Sequence, residues 1–158
     1  MIMRTTFLGP KRVGGFTLIE LMITCVVLAI IVGIAVPAYT QQMHKARRAD
    51  ARNAILDLAG REERFLSISN SYSQTASDMG YTAFPMTVNN GYYQLTVTVP
   101  DPAFVAAGNT GPSYIITATA LGAQLTDSDC RTFTVNQIGQ QVALTTGGAI
   151  NTPTCWGP

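Results

Sequence analysis

The feature that most constrains this chain is a run of nineteen residues without a charge, from Leu21 to Tyr39. A helix over residues 16–39 would be about 36 Å long, which is enough to cross the hydrocarbon core of a bilayer. Three bases and no acid precede residue 16, where this helix would start: Arg4, Lys11 and Arg12. Basic residues before a first apolar helix hold that end in the cytoplasm. The sequence therefore predicts a single membrane-crossing segment with a cytoplasmic N-terminus and an exported C-terminal part.

One acid, Glu20, stands at the start of the apolar run and separates three interpretations of it. A cleaved secretory signal has an apolar core of about 7–15 residues that ends at an A-x-A-like site. This run is longer, and residues 35–38 (Ala-Val-Pro-Ala) match such a site poorly. A plain membrane anchor fits the length but leaves Glu20 unexplained, because an acid near lipid is costly to insert. The third interpretation is a helix on which Glu20 has a partner.

Residues 11–20, Lys-Arg-Val-Gly-Gly-Phe-Thr-Leu-Ile-Glu, resemble the prepilin cleavage motif of the type IV pilin family. The resemblance implies that residues 1–15 are a cytoplasmic leader, cut by a membrane-embedded peptidase between Gly15 and Phe16, and that Phe16 is then N-methylated. Glycine suits the cleavage position because a backbone without a side chain can enter a tight cleft. The resemblance also implies that the apolar helix is retained, and that Glu20 meets the amine of Phe16 on an adjacent subunit of a fibre.

Gly33 and Pro37 predict a kink or local melting of this helix, because proline removes a helix hydrogen bond and clashes one turn back. In the pilin family this region can unwind when a subunit enters a fibre. A kink that serves only the membrane-bound state is the alternative.

After the uncharged run the sequence becomes polar but keeps a helical pattern, which predicts one long helix over residues 16–66. The apolar side chains of its second half share one face, which we expect to pack on the C-terminal domain: Ala51, Ala54, Ile55, Leu58 and Phe65. Lys45, Arg48 and Arg52 form a basic stripe on another face. Nucleic acid or acidic lipid headgroups are candidate ligands, but a short stripe without aromatic residues favours a solvated face.

Residues 67–158 are predicted to form a globular head. Residues 67–90 are expected to form a loop, and Asn90-Gly91 is a turn signal. Alternating apolar residues then predict three strands, and Val142 and Leu144 pattern a fourth; the three cover residues 93–99, 114–120 and 131–138. Short connections favour antiparallel pairing, and one apolar face of the sheet needs a helix to cover it. The predicted fold class is α+β, with the long N-terminal helix packed on a four-stranded antiparallel sheet.

The three cysteines divide unequally along the chain. Cys25 lies in the apolar run, where it serves as a small apolar side chain. Cys130 and Cys155 lie in the polar part of a chain destined for an oxidising compartment, which favours a disulfide that closes a C-terminal loop. A metal site is the alternative, but no further ligands lie near this pair in the sequence. We therefore predict no metal and no cofactor.

The sequence predicts no enzyme activity and no catalytic residue, because no base is spaced to activate the many hydroxyl groups. His44, the only histidine, is expected to be solvated. Asp127-Ser128-Asp129 and Asp101 lack the further carboxylates of a calcium site, so a solvated turn is favoured there. Thr146-Gly147-Gly148 lacks the lysine and the strand–helix context of a phosphate-binding loop.

The resemblance implies a structural subunit that the prepilin peptidase processes and that joins other pilin subunits in an extracellular fibre. The Gly139-Gln140 turn and the ending Cys155-Trp156 most resemble minor pilins of the PilE type. Such a fibre supports adhesion, twitching motility or DNA uptake. The alternatives are a pseudopilin of type II secretion, which carries this cysteine pair less often, a competence pilin that binds DNA, and an enzyme anchored by a signal helix.

Overall fold

The computed structural model describes residues 15–88 and 91–157. The predicted leader lies outside the described residues except for Gly15, as does Asn90 of the predicted turn. The chain divides into two compact units, residues 1–40 and 41–158. We describe each unit by itself.

A single α-helix, α1, spans Leu18–Ser69 and belongs to both units. It begins two residues after the predicted start because Thr17 caps it: the backbone amide of Glu20 donates to Oγ1 of Thr17 at 3.2 Å. Thr17-Leu-Ile-Glu20 has the S/T-x-x-E pattern of a capping box. The helix continues through Gly33 and Pro37, and the hydroxyl of Thr40 donates to the carbonyl of Pro37 at 2.9 Å. The kink at Gly33–Pro37 stays a prediction.

The second unit contains a five-stranded antiparallel sheet in the order β1-β2-β3-β4-β5. The strands are Met86–Thr87, Tyr93–Thr98, Ile115–Ala120, Thr132–Asn136 and Gln141–Leu144. The prediction of four strands was therefore wrong by one, although the fold class is confirmed. The missed strand, β1, has only two residues, which is too short for an alternating pattern to reveal it.

The buried face of the sheet carries a row of residues that alternate in size. Leu95 faces Ala118, Ala118 faces Phe133, and Phe133 faces Ala143 across successive strands. All four are fully buried. The second half of α1 covers this row with Ala51, Ile55 and Leu58, which are also fully buried. Large and small side chains in alternation let the helix and the sheet interdigitate.

Short helices and a disulfide complete the second unit. Helix α2 (Pro102–Ala106) is capped by Asp101, whose carboxylate accepts from the amide of Ala103, and α3 (Thr152–Trp156) closes the chain. Two 3₁₀ turns lie at Ala76–Met79 and Gly122–Thr126. The predicted Cys130–Cys155 disulfide is present, with the two Cα atoms 5.6 Å apart.

The C-terminal segment also covers the outer edge of β5. Leu144 forms an antiparallel bridge with Ile150, and the amide of Asn151 donates to the carbonyl of Ala143 at 2.8 Å. The amide of Ala143 in turn donates to the hydroxyl of Thr152 at 3.0 Å. Backbone groups that an edge strand would otherwise present to solvent are thus satisfied within the chain.

Candidate assembly surface and basic cavity

The assembly segment, as we name residues 16–39, is apolar and unburied. All its large apolar side chains are between 49% and 80% exposed, including Phe16 at 80%. By length and composition α1 contains one stretch able to cross a membrane, and none of that stretch is buried within the chain. Apolar surface of this extent in one helix indicates a lipid environment or a partner helix.

The predicted processing residues lie together at the start of α1. Gly15 and Phe16 are exposed and precede the helix, and Glu20 is in its first turn. An acid in the first turn is favoured by the helix dipole. Thr17 caps the helix by accepting from the backbone amide of residue 20, a bond that does not involve the Glu20 side chain. This cap was not predicted, although a threonine directly before a helical pattern is a sequence signal for one. Gly33 and Pro37 lie further along the same helix.

A buried polar network, which we name the clamp, fixes α1 to the loop before β4. Nε of Arg48 donates to Oδ2 of Asp127 at 2.7 Å, and Nη2 donates to Oδ1 at 2.6 Å. Gln124 donates to the same carboxylate at 2.8 Å and to the hydroxyl of Tyr93 at 3.2 Å. That hydroxyl donates to the carbonyl of Cys130 at 3.1 Å. The clamp therefore joins the helix, the sheet and the disulfide.

Asp127 is not part of a solvated turn, so that prediction was wrong. Its side chain is only 2% exposed. Burial opposes ionisation of this carboxyl, but the hydrogen bonds and the charge of Arg48 outweigh burial and hold its pKa below the ordinary value. The amides of Asp129 and Cys130 also donate to it, at 3.2 and 3.4 Å. A buried carboxylate with this many donors is structural.

His44 is half-buried and contacts the same region, which corrects the expectation that it is solvated. Its Nδ1 lies 3.2 Å from Oε1 of Gln124, and its Nε2 lies 3.4 Å from the hydroxyl of Thr126. That hydroxyl donates to the carbonyl of Ala123 at 2.8 Å, so its proton is directed away from the imidazole. The pair is thus not arranged as a nucleophile and its base.

The basic stripe is not a solvated face either, because two of its three members contact the C-terminal loop. Besides the clamp residue Arg48, Arg52 donates through Nη1 to the carbonyls of Trp156 and Gly157, at 3.1 and 2.7 Å. Trp156 is held further by its indole N–H, which donates to the carbonyl of Val142 at 3.1 Å. Lys45 remains exposed.

Between the stripe and α3 lies a cavity of about 320 Å³, which we name the basic cavity. It is lined by the three bases of the stripe and by residues of the C-terminal loop: Lys45, Arg48, Arg52, Pro153, Thr154, Cys155 and Gly157. A neighbouring cavity of similar size shares Lys45, Arg48 and Thr154 but is also lined by Asp127 and Asp129. Only the first of the two is thus lined by bases without an acid.

Glu62 is a fully buried carboxylate on the core face of α1 that the sequence pattern did not reveal. The amide of Ser73 donates to Oε2 at 3.2 Å, whereas Oε1 has no hydrogen-bond partner among the described residues. Burial raises the pKa of Glu62 to about 7. Within residues 15–88 and 91–157, no group of three or more His, Cys, Asp or Glu side chains is placed to hold a metal ion.

Comparisons with known proteins agree with this arrangement. A model of the prokaryotic N-terminal methylation motif matches residues 10–36. That motif, followed by an unburied apolar helix and a disulfide-closed antiparallel head, defines the pilin class. A family model described as type IV minor pilin ComP, DNA uptake sequence receptor, matches residues 37–134, which is more than half of the chain. The chain belongs to the type IV minor pilin family, which confirms the resemblance predicted from residues 11–20.

Two curated relatives are also pilus proteins by name. The chain is 28% identical over 99 residues to type IV major pilin protein PilA of Myxococcus xanthus (strain DK1622), covering 63% of this chain and 44% of that protein. It is 34% identical over 108 residues to fimbrial protein EcpC of Eikenella corrodens, covering 66% of this chain and 61% of that protein. The chain thus spans about half the length of the curated relatives it matches.

Among solved structures, a type IV pilin from Shewanella oneidensis matches with a TM-score of 0.44 and 19% identity, over 62% of this chain and 89% of that one. A likeness at this level supports no conclusion by itself. The narrower resemblance to PilE-type minor pilins stays a prediction.

Proposed function

We propose that this chain is a minor subunit of a type IV pilus, inserted in the inner membrane with its N-terminus in the cytoplasm and later assembled with other pilin subunits into an extracellular fibre. The observation that carries the proposal is the assembly segment, whose large apolar side chains are all at least 49% exposed. In the membrane these side chains meet lipid, and in a fibre they meet the same segment of other subunits. The proposal gives the chain no catalytic role.

Processing is the first step of this function. Cleavage between Gly15 and Phe16 by the prepilin peptidase, followed by N-methylation of Phe16, leaves a positively charged amine two residues before the helix. Glu20 lies in the first turn of α1 and is exposed. A carboxylate there can pair with the amine of a neighbouring subunit and so fix the axial register between them, while apolar contacts supply most of the adhesion.

The test is to purify the mature chain from sheared fibres and to determine its N-terminal residue by mass spectrometry. We expect a chain that begins with methylated Phe16 and is present in small amounts relative to a main subunit. A Gly15→Val variant, which obstructs the cleavage position, is the matched control and should stay uncut in the membrane fraction. A mature chain that starts after Ala38 would overturn the proposal.

A second candidate function, reception of DNA during uptake, is favoured by the description of the family model that matches residues 37–134. Residues 41–157 carry seven basic and eight acidic residues, so a large nonspecific attraction for DNA is not expected. Binding would have to rest on contacts with the edges of particular nucleobases of a duplex. In this candidate function the subunit displays a sequence-selective head on the fibre.

Selection from a pool of random DNA duplexes tests this candidate function. The full chain in a neutral detergent should enrich one short sequence, and its retention should weaken as salt rises. Retention of all duplexes alike, or of none, at physiological salt would reject sequence-selective reception and leave the structural role in place.

A further inference from the structure

We propose that the basic cavity binds a phosphate group, and that its occupant is the headgroup of an anionic phospholipid while the subunit is anchored in the membrane. This inference rests on the membrane-anchored state proposed above and goes beyond the fibre role. It concerns the head and one short stretch of α1, not the assembly segment.

The charge of the cavity is the first argument. Its lining contains three bases and no acid. The charge of Arg48 is paired with Asp127, but Arg52 donates only to the carbonyls of Trp156 and Gly157. Lys45 has no salt bridge or hydrogen bond to the described residues. Two positive charges therefore face a cavity of about 320 Å³ without a carboxylate among the described residues that line it.

The hydrogen-bond donors that remain free are the second argument. Arg48 uses Nε and Nη2 on Asp127, which leaves both hydrogens of Nη1. Arg52 uses Nη1 on two carbonyls, which leaves Nε and Nη2. Lys45 adds three donors of its own. A tetrahedral phosphate with several acceptor oxygens is the ligand that matches such a set of charged donors.

The position of the cavity in the chain is the third argument, and it favours a lipid. Lys45 follows Thr40, the last residue of the first unit, by five residues. Residues 40–45 are helical, and five helical residues rise only about 8 Å, so Lys45 lies near the membrane surface when Thr40 marks the end of the membrane segment. Anionic headgroups attract basic residues within about a Debye length, roughly 8–10 Å, of that surface. The acids Asp127 and Asp129 line the neighbouring cavity, which directs a phosphate to the basic cavity.

Nucleic acid is a poorer match for the same donors. A duplex is bound through several phosphates spaced along its backbone, and it needs a basic surface of matching length. Here the unpaired charges converge on one concavity, and acids slightly outnumber bases over residues 41–157. A single headgroup fits this distribution better than a strand does.

The experiment uses the full chain in neutral detergent micelles, titrated with phosphatidylglycerol, with zwitterionic phosphatidylcholine, and with inorganic phosphate. Native mass spectrometry counts bound lipid. The fluorescence of Trp156 reports on the cavity, because this is the only tryptophan of the chain and its carbonyl accepts from Arg52. We expect saturable binding of phosphatidylglycerol and no comparable binding of phosphatidylcholine.

Variants locate the site. Lys45 is exposed and makes no hydrogen bond to the described head, so Lys45→Ala should fold normally and weaken phosphatidylglycerol binding about fivefold, the contribution of one base near an anionic surface. Lys45→Glu should weaken it further. Arg64→Ala is the matched control, because Arg64 is an exposed base of the same helix outside the cavity, and it should change nothing.

Four outcomes would overturn the assignment. Equal binding of phosphatidylglycerol and phosphatidylcholine would show that binding does not depend on the charge of the headgroup. An unchanged affinity of Lys45→Glu would place the lipid elsewhere. Binding of inorganic phosphate with the same dependence on Lys45 and no preference for the lipid would make this a free-anion site. Displacement of the lipid by a short DNA duplex would identify nucleic acid as the ligand.

Discussion

At the scale of single residues, the most consequential side chain is the buried carboxylate of Glu62. It lies one helical turn after Leu58, on the apolar face of α1, and is fully buried. Glu63 and Asp78 add their negative charges to the effect of burial, so its pKa rises to about 7 from an ordinary 4.5. An ionised Glu62 leaves one oxygen, Oε1, without a hydrogen-bond partner among the described residues. Loss of its proton is therefore unfavourable in the folded head.

The sign of the pH dependence follows from this shift. Between about pH 4.5 and 7 the folded chain holds the Glu62 proton more tightly than the unfolded chain does. The contribution of Glu62 to stability is therefore highest below pH 4.5, falls as pH rises through this window, and is flat above it. Glutamine cannot ionise, so Glu62→Gln should avoid this loss of stability. We expect its effect on the free energy of unfolding to be more favourable at pH 8 than at pH 5, by about 1–3 kcal/mol.

Urea unfolding of the full chain in neutral detergent, followed by the fluorescence of Trp156, measures this difference. The variant should lose the part of the pH dependence between pH 5 and 8 that the parent shows. Asp50→Asn, which changes an exposed acid of the same helix that does not contribute to the raised pKa of Glu62, is the matched control. If Glu62→Gln and the parent lose stability equally from pH 5 to 8, the assignment to Glu62 is wrong.

At the scale of elements, the clamp decides how α1 is held against the loop before β4. Arg48 and Asp127 are 79 residues apart, so no local pattern could pair them, and each was predicted to be solvated. The strands were predictable because alternation of apolar residues is local. The apolar face of α1 was predictable for the same reason, whereas the burial of Glu62 on it was not. Partners that meet only after folding are what the sequence pattern did not contain.

We expect Arg48→Ala and Asp127→Ala each to lower the free energy of unfolding by about 3–5 kcal/mol, because each leaves the other charge buried and unpaired. The double variant should cost much less than the sum of the two, and a double-mutant cycle in urea measures this coupling. Asp57→Asn in the exposed Asp57–Arg61 pair is the matched control and should cost less than about 1 kcal/mol. Additive effects of Arg48→Ala and Asp127→Ala would show that the clamp is not a unit.

The Cys130–Cys155 disulfide stabilises the C-terminal segment of the head separately from the clamp. Cys130 and Cys155 are 25 residues apart, and closing a segment of that length stabilises a folded domain by about 3–4 kcal/mol in the chain-entropy model. We expect reduction to lower the melting temperature of the full chain. The measurement is best made in a Cys25→Ser background, because Cys25 is the free, exposed thiol and would otherwise complicate it. An unchanged melting temperature after complete reduction would contradict this expectation.

At the scale of the whole molecule, the sequence predicted the family and the apolar N-terminal segment better than it predicted the details of the head. The motif at residues 11–20 and the uncharged run were sufficient for the family, because both are local and contiguous. The basic cavity was not predictable, because it needs α3 to lie against the stripe of α1. The start of α1 lies between these cases, because the position of Glu20 was predicted from the motif but the cap that Thr17 forms with its backbone amide was not.

Two variants separate the charge of Glu20 from the helix cap that Thr17 forms. Glu20→Gln keeps the backbone amide that donates to Thr17 but removes the charge that would pair with a Phe16 amine. Thr17→Ala removes the cap and keeps the charge, at a cost of about 1 kcal/mol to the helix. We expect Glu20→Gln to stay in the membrane and enter sheared fibres poorly, whereas Thr17→Ala should enter them nearly normally. The reverse ranking would show that the Thr17 cap, and not the charge of Glu20, is needed for assembly.

The covered edge of β5 has a consequence for crowding. A pilus holds many heads at high local concentration, and an open sheet edge would let neighbouring heads add to one another's sheets as in amyloid. Here residues 149–152 already occupy the outer edge of β5, and the opposite edge, β1, is only two residues long. Heads protected in this way are expected to stay separable, so that a fibre held by its helices can be taken apart again subunit by subunit.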